Sequence, residues 1–221
     1  MRTLHSKLAG DDRPGFTLVE LLVVISIIGI LAGLVVGLSK LASQKTKESR
    51  LQTEMNQIIT AIDSYHADKG FYPPDVKDSE GRVVPQVNAL FYELVGTVYT
   101  NRLWQPLNGT SAISRLAVVN TFNAQGFANS STDRAQVKSY LNPKQEQHRL
   151  YNATTQVHIL ASPYEFRDTW RKVMLPPIAN SATIPWFYDA STPGRHNPQS
   201  YDLWTEIVYD KDKVVIGNWN Q

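Results

Sequence analysis

Between Phe16 and Leu38 the chain is apolar at almost every position, and Glu20 is its only charged side chain there. About 20 helical residues cross a bilayer core, so the stretch has the length and apolarity of a membrane span. The pattern then changes. From Ser39 to Asp68, Leu41, Leu51, Met55, Ile58, Ile59, Ile62 and Tyr65 recur mostly at three- and four-residue spacings, with charged and amide side chains between them. That spacing predicts an amphipathic helix with one face to be covered. Gly70 offers a stop and Pro73-Pro74 prevents resumption. One helix from Phe16 to about Asp68 would be a rod of roughly 75–80 Å. Its first half is apolar all round and projects beyond any domain the chain could build, so it calls for lipid or for further copies of itself.

The remaining segments predict a modest α+β domain. Residues 75–85 read as a polar loop. Gln86–Val95 reads as a short helix with Leu90, Phe91 and Leu94 on its apolar side and Gly96 as its cap. Residues 97–149 are rich in Asn, Ser, Thr and Gln and give few strong strands. Within them Leu116–Val119 reads as either strand or helix. Asp133–Leu141 reads as a helix capped by Ser131 or Thr132 and stopped before Pro143. Tyr99, Trp104, Phe122, Phe127 and Tyr140 are scattered through this segment, as core or as a binding surface, with core packing the plainer reading. Gln156–Leu160, Trp186–Tyr188, Tyr201–Thr205 and Lys213–Ile216 read as strands, the last two joined by a turn at Asp210-Lys211-Asp212. A few short antiparallel strands against the amphipathic helix suffice to bury one face.

Charge and composition narrow the function classes. The chain has 221 residues and a formal net charge of +2, too balanced for nucleic-acid binding through a general basic field. It has no cysteine, hence no disulfide framework and no thiol chemistry. Arg2, Lys7 and Arg13 precede the apolar run, and positive flanks stay cytoplasmic, which puts the bulk of the chain on the far side of the membrane. The five histidines, His5, His66, His148, His158 and His196, show no metal-ligand spacing in sequence. There is no nucleophile elbow and no phosphate-binding glycine loop, so no enzyme is expected. Trp186, Trp204 and Trp219 could stack on sugars, but on strands they are better read as packing. Glu20 needs an account, because a carboxylate in an apolar span is costly without a partner. It either snorkels to the interface of an ordinary signal anchor or meets a positive charge on another subunit.

Gly15-Phe16-Thr17-Leu18-Val19-Glu20-Leu21-Leu22-Val23-Val24-Ile25, behind a short charged leader, resembles the processing signal of type IV pilins and type II secretion pseudopilins. The resemblance implies a pilin-like α+β fold with a long N-terminal helix packed on a small antiparallel sheet. It implies a cleaved leader of residues 1–15, a transmembrane and filament-core helix over 16–38, and a periplasmic domain over 39–221. Prepilin peptidase would cut between Gly15 and Phe16 and N-methylate Phe16, and Glu20 would meet the N-terminal amine of a neighbouring subunit. A cut before the apolar region would keep that segment in the mature protein, unlike a secretory signal. Gly29, Gly33 and Gly37 permit close helix approach or reflect the ordinary glycine content of membrane helices; many family members have proline where Gly37 stands.

Gly70-Phe71-Tyr72-Pro73 resembles the turn after the long helix of pseudopilins, and Ser200–Trp204 with Ile216-Gly217-Asn218-Trp219 resembles the end of the major pseudopilin. Asp168-Thr169-Trp170 matches the family's Asp-Pro-Trp-Gly poorly. Resemblance covers roughly residues 13–95 and 186–219, and residues 97–149 look like an insertion. In the major pseudopilin the loop between the last two motifs binds calcium, which Glu206, Asp210 and Asp212 could ligate here. The family's acidic residues just before Ile-Gly-Asn-Trp are Val214 and Val215 in this chain, and a solvated hairpin turn is the plainer reading; no other cofactor is expected. The implied function is a structural subunit of a type II secretion pseudopilus in the bacterial inner membrane. Its implied partners are further copies, other pseudopilins, prepilin peptidase and the inner-membrane assembly platform. The alternatives are a type IV pilus subunit for adhesion, motility or DNA uptake, and a membrane-tethered glycan-binding module.

Overall fold

The computed structural model describes residues 15–165, 183–209 and 212–219; the side chains of residues 34–38, 165 and 212 fall outside the described set. Asp168-Thr169-Trp170 lies outside it too. Helix α1 is Leu18–Lys69, in agreement with the pattern, and ends where Gly70 turns to φ 80° and donates its N–H to the His66 carbonyl at 2.8 Å. The mixed α+β architecture expected from the sequence follows it. The chain divides into two compact units, residues 1–46 and 47–221.

In the first unit the apolar side chains of α1 are exposed, from 79 % for Leu18 to 44 % for Val24. Leu41, expected on the buried face, is exposed as well. Among the described residues no helix is long and apolar enough to cross a membrane. The described apolar run stops at Gly33, before the residues whose side chains are not described.

In the second unit α1 lays a buried stripe into the core. Leu51, Met55, Ile58, Ile62 and Tyr65 follow one another at four- and three-residue steps, and all are buried. This is the period that keeps side chains on one helical face. The covered face thus begins at Leu51, later than the helix's polar–apolar alternation suggested.

Helix α2 spans Leu90–Val95 and is buried on every side, Glu93 included. It starts four residues later than expected, because Asn88 is taken up in holding the preceding turn. Asn88 donates its amide to the Trp186 carbonyl at 2.6 Å and accepts the Leu90 N–H. Residues 128–141 are stitched to α2. The Glu93 carboxylate accepts the N–H groups of Ala128 and Asn129 at 2.8 Å each and the Tyr65 hydroxyl at 3.0 Å. Burial pushes its pKa up, and those three donors oppose the shift. The Leu94 carbonyl accepts from both Tyr140 and Leu141. Gly96 closes α2 at φ 79°, and a Cβ there would lie 2.7 Å from Val137 Cγ1 and 2.8 Å from the Lys138 carbonyl. Only glycine has both the conformation and the room.

Those stitches explain why Asp133–Leu141 is not the expected helix. It holds a single 3-10 turn, Arg134–Gln136, capped by the Asp133 carboxylate on the Ala135 N–H. Beyond it the chain extends so that Tyr140 and Leu141 can reach the Leu94 carbonyl. Tertiary hydrogen bonds outweigh a weak helical preference here.

The same middle segment contains a sheet that the sequence barely signals. Strands β1 (Thr97–Thr100), β2 (Leu103–Pro106), β3 (Ile113–Ser114) and β4 (Ser130–Ser131) lie in the order β3-β2-β1-β4, with β1 and β4 parallel. Asn101 and Arg102 both have positive φ and make the tight β1–β2 turn. Leu116–Val119 falls in helix α3 (Arg115–Phe122), whose N-cap Ser114 accepts the Ala117 N–H through its hydroxyl. Trp104, Phe122 and Phe127 are buried in the core, the plainer of the two readings.

Two further sheets complete the unit. One has the order β5-β6-β7, from β5 (His148–Asn152), β6 (Val157–Glu165) and β7 (Thr183–Pro185). The other has the order β10-β9-β8, from β8 (Phe187–Asp189), β9 (Asp202–Tyr209) and β10 (Asp212–Gly217). The expected strand Trp186–Tyr188 is divided at Trp186, which lies between β7 and β8 and donates its N–H to Leu160 of β6. Trp186 is thereby buried completely.

Candidate functional site

The site expected from the sequence is the start of α1. Phe16 is 81 % exposed, and an added Cβ at Gly15 would meet nothing within 4 Å. Thr17 and Glu20 close a reciprocal cap. The Glu20 carboxylate accepts the Thr17 N–H at 2.9 Å and the Thr17 hydroxyl at 2.8 Å, while the Glu20 N–H reaches the same hydroxyl oxygen at 3.2 Å. This is the capping box of a Thr-x-x-Glu sequence, and it satisfies donors that a helix start leaves orphaned. Reading Glu20 as a snorkelling charge or as a partner for another subunit overlooked Thr17, although the Thr-x-x-Glu spacing was visible in the sequence.

Beyond the cap the described side chains of α1 up to Gly33 are apolar except Ser26, whose hydroxyl donates to the Leu22 carbonyl at 2.7 Å. Leu21, Leu22, Ile25 and Ile28 are each more than half exposed, and added Cβ atoms at Gly29 and Gly33 would meet nothing within 4 Å. The corresponding space at Gly37 is not among the described residues. A hydrophobic surface on this scale is a contact surface, for lipid or for another helix.

A family match falls on this same stretch. Residues 12–36 match the family described as the prokaryotic N-terminal methylation motif. Over part of its length the chain is similar to a type II secretion pseudopilin. Over 65 residues it is 38 % identical to the type II secretion system core protein G of Escherichia coli (strain K12), a match covering 29 % of this chain and 45 % of that relative. The chain thus spans less than half the length of the curated relative it matches. No solved structure matches it.

At the other end of this pseudopilin-like chain the structure joins the two C-terminal motifs directly. The Asn218 side chain donates to the Tyr201 carbonyl at 3.0 Å and accepts the Leu203 N–H at 3.1 Å. The Asp202 carboxylate accepts the N–H groups of His196 and Asn197 at 2.7 and 2.8 Å, and Arg195 donates to the carbonyls of Thr192, Pro198 and Ser200. Beside this loop lies a cleft of about 320 Å³ lined by Asp189, Arg195, His196, Asp202, Trp204 and Trp219. Both indoles on this cleft are engaged by other rings. Trp219 is sandwiched, with the His196 ring parallel at 4.0 Å and Gly217 so close that a Cβ there would lie 2.7 Å from the indole. Trp204 stacks on Phe187 at 5.1 Å and meets Trp219 edge to face. Trp204 and Trp219 are half-buried on the wall of this cleft, with their rings engaged by Phe187, His196 and each other.

Of the three calcium candidates, only Glu206 has a described side chain; Asp210 and the side chain of Asp212 lie outside the described residues. Glu206 accepts the Lys213 ammonium at 3.1 Å across the β9–β10 pair. Among the described residues no three His, Cys, Asp or Glu side chains gather as a metal site.

Two histidines that look unrelated in sequence do meet. His148 of β5 and His158 of β6 face each other with Nδ1 atoms 3.0 Å apart. Burial lowers the pKa of both, that of His158 to about 4. Strand pairing brings them together, and only the register would have revealed it.

Proposed function

We propose that the protein is a structural, non-catalytic subunit of a type II secretion pseudopilus. It is held in the inner membrane by residues 16–38, with its C-terminal domain in the periplasm. Prepilin peptidase cuts it between Gly15 and Phe16 and methylates the new Phe16 amine. Subunits then stack through their N-terminal helices, together with other pseudopilins on an inner-membrane assembly platform, and the growing filament drives protein export. One observation carries the reading. Glu20 is the only charged side chain from Phe16 to Leu38, and it stands four residues after the proposed new N-terminus, on a helix whose apolar side chains are exposed. A desolvated carboxylate and ammonium are favourable only with both partners in place. In the single subunit Thr17 occupies that carboxylate, so Glu20 exchanges or extends its cap to reach a neighbour's Phe16 amine.

The match to a type II secretion core protein favours secretion over a surface pilus. The packing around Trp186, Trp204 and Trp219 disfavours the glycan-binding alternative. Calcium at the β9–β10 turn, through Glu206, Asp210 and Asp212, belongs to the proposal as a separate part, tested by the thermal shift that Ca²⁺ produces. The deciding experiment is the N-terminal mass of the protein isolated from the membranes of its own host. A chain beginning with N-methyl-Phe16 supports the proposal. A chain still starting at Met1, or cut beyond Leu38, overturns it.

A further inference from the structure

The pairing of β5 with β6 sets Leu150 opposite His158 and His148 opposite Leu160. His148 and His158 are therefore diagonal neighbours on one face of the pair. Their rings lie 5.0 Å apart at 60°, and Phe91 of α2 supports both, at 5.0 Å from His148 and 5.6 Å from His158. Both imidazoles are half-buried. The Nδ1 atoms sit 3.0 Å apart, so in the apo protein one donates a proton and the other accepts it.

That separation is also the span of two ligand atoms on one metal ion. With metal–nitrogen distances of about 2.0–2.1 Å, cis nitrogens lie roughly 2.9 Å apart at a right angle and roughly 3.4 Å apart at the tetrahedral angle. We propose that His148 and His158 form a two-imidazole site for a divalent transition metal ion of the Cu²⁺ or Zn²⁺ type, with solvent completing the coordination. The donor ring's Nδ1 proton moves through solvent to its own Nε2, so both neutral imidazoles offer an Nδ1 lone pair and the metal clamps β5 to β6 in place of the hydrogen bond.

Three observations support the assignment. The strands and Phe91 hold the two rings in place before any ion arrives, which lowers the ordering cost of binding. Burial keeps both rings neutral near pH 7, so binding asks only for a change of tautomer in the donor ring and no net loss of a proton. The donors are imidazoles, which suit copper, zinc and nickel rather than calcium or magnesium. The nearby cation is Arg149, which also lowers the His148 pKa; its guanidinium is held on the carbonyls of Gln145 and His148. No third protein ligand gathers there among the described residues, so a site of intermediate affinity with open positions is the expectation.

The test titrates Cu²⁺ alone into the full chain in detergent micelles and reads the electron paramagnetic resonance spectrum. The expected result is one equivalent bound with hyperfine splitting from two imidazole nitrogens, displaced by excess Zn²⁺. His148→Phe and His158→Phe should each abolish the two-nitrogen spectrum while leaving the far-ultraviolet circular dichroism unchanged. A wild-type spectrum with one imidazole nitrogen or none overturns the proposal, as does a spectrum indifferent to His158→Phe. Nitrogen-15 spectra of the wild-type imidazoles decide it without any variant. Zn²⁺ should shift the Nδ1 signals of His148 and His158 together, and unmoved signals would rule the site out.

Discussion

Leu22 and Leu51 belong to one helix and one residue type, yet Leu22 is 54 % exposed and Leu51 is not exposed at all. Around Leu22 α1 is apolar on nearly every side, Glu20 and Ser26 excepted; around Leu51 only one stripe is, and this chain covers it. The two stretches therefore ask for different partners. The Leu51 stretch is satisfied within the molecule and contributes to its folding. The Leu22 stretch buries nothing against the described domain, and on the proposed reading it draws its stabilisation from lipid or from other subunits.

If that division holds, the largest effect of a single change falls on assembly. Glu20→Ala should leave membrane insertion and cleavage intact and reduce filament yield to a small fraction, read by cross-linking intact cells and quantifying the subunit multimers in the envelope fraction. Wild-type yield from that variant would remove Glu20 from the assembly contact. Next comes stability. Ile62→Ala should cost about 2–5 kcal/mol in denaturant unfolding of the detergent-solubilised protein, since Ile62 is fully buried. Ile25→Ala, at a position 58 % exposed, should change it by less than about 0.5 kcal/mol. Equal costs at the two positions would abolish the distinction.

A smaller effect concerns pH. The pKa of His158 is lowered from the ordinary 6.5 to about 4, so the unfolded chain binds its proton more readily than the folded one. The corresponding stability is present above pH 6.5 and is lost as the pH falls toward 4. Glu93 works in the opposite direction, because burial raises its pKa and acidification favours the folded form. Comparing wild type with His158→Phe isolates the histidine, and the variant should lose less stability between pH 7 and pH 4. The smallest effect is expected for Glu146→Ala. Glu146 and Arg50 form an ion pair at 3.0 Å with both side chains 46 % exposed, worth less than about 1 kcal/mol.

The long helix and the C-terminal strands were legible because their patterns are strong. An apolar run, a three–four repeat and a Gly-Pro stop specify α1 almost to the residue. The middle of the chain was not legible, for identifiable reasons. The β1–β2 hairpin turns on Asn101-Arg102, without the glycine that usually announces such a turn. Strands β3 and β4 are two residues long, too short for alternation to show. Asp133–Leu141 has a helical composition, but its backbone donors are claimed by Leu94, far away in sequence. At the helix start Glu20 was singled out and its cap partner Thr17 was not, because attention to charge hides a hydroxyl. The His148–His158 pair depends on strand register, which no local pattern records.

The stitching of residues 128–141 to α2 bears on how this domain could be remodelled. Residues 97–149 look like a cassette that could be cut out or exchanged for another loop. Excision would leave the Glu93 carboxylate buried without the Ala128 and Asn129 N–H groups, and the Leu94 carbonyl without Tyr140 and Leu141. Each stranded buried group costs about 1–3 kcal/mol, and more where it is charged. Any replacement must therefore bring its own donors to α2, or Glu93 must change with it. The segment and the short helix are one structural unit, and chimeras that respect that boundary are the ones that should fold.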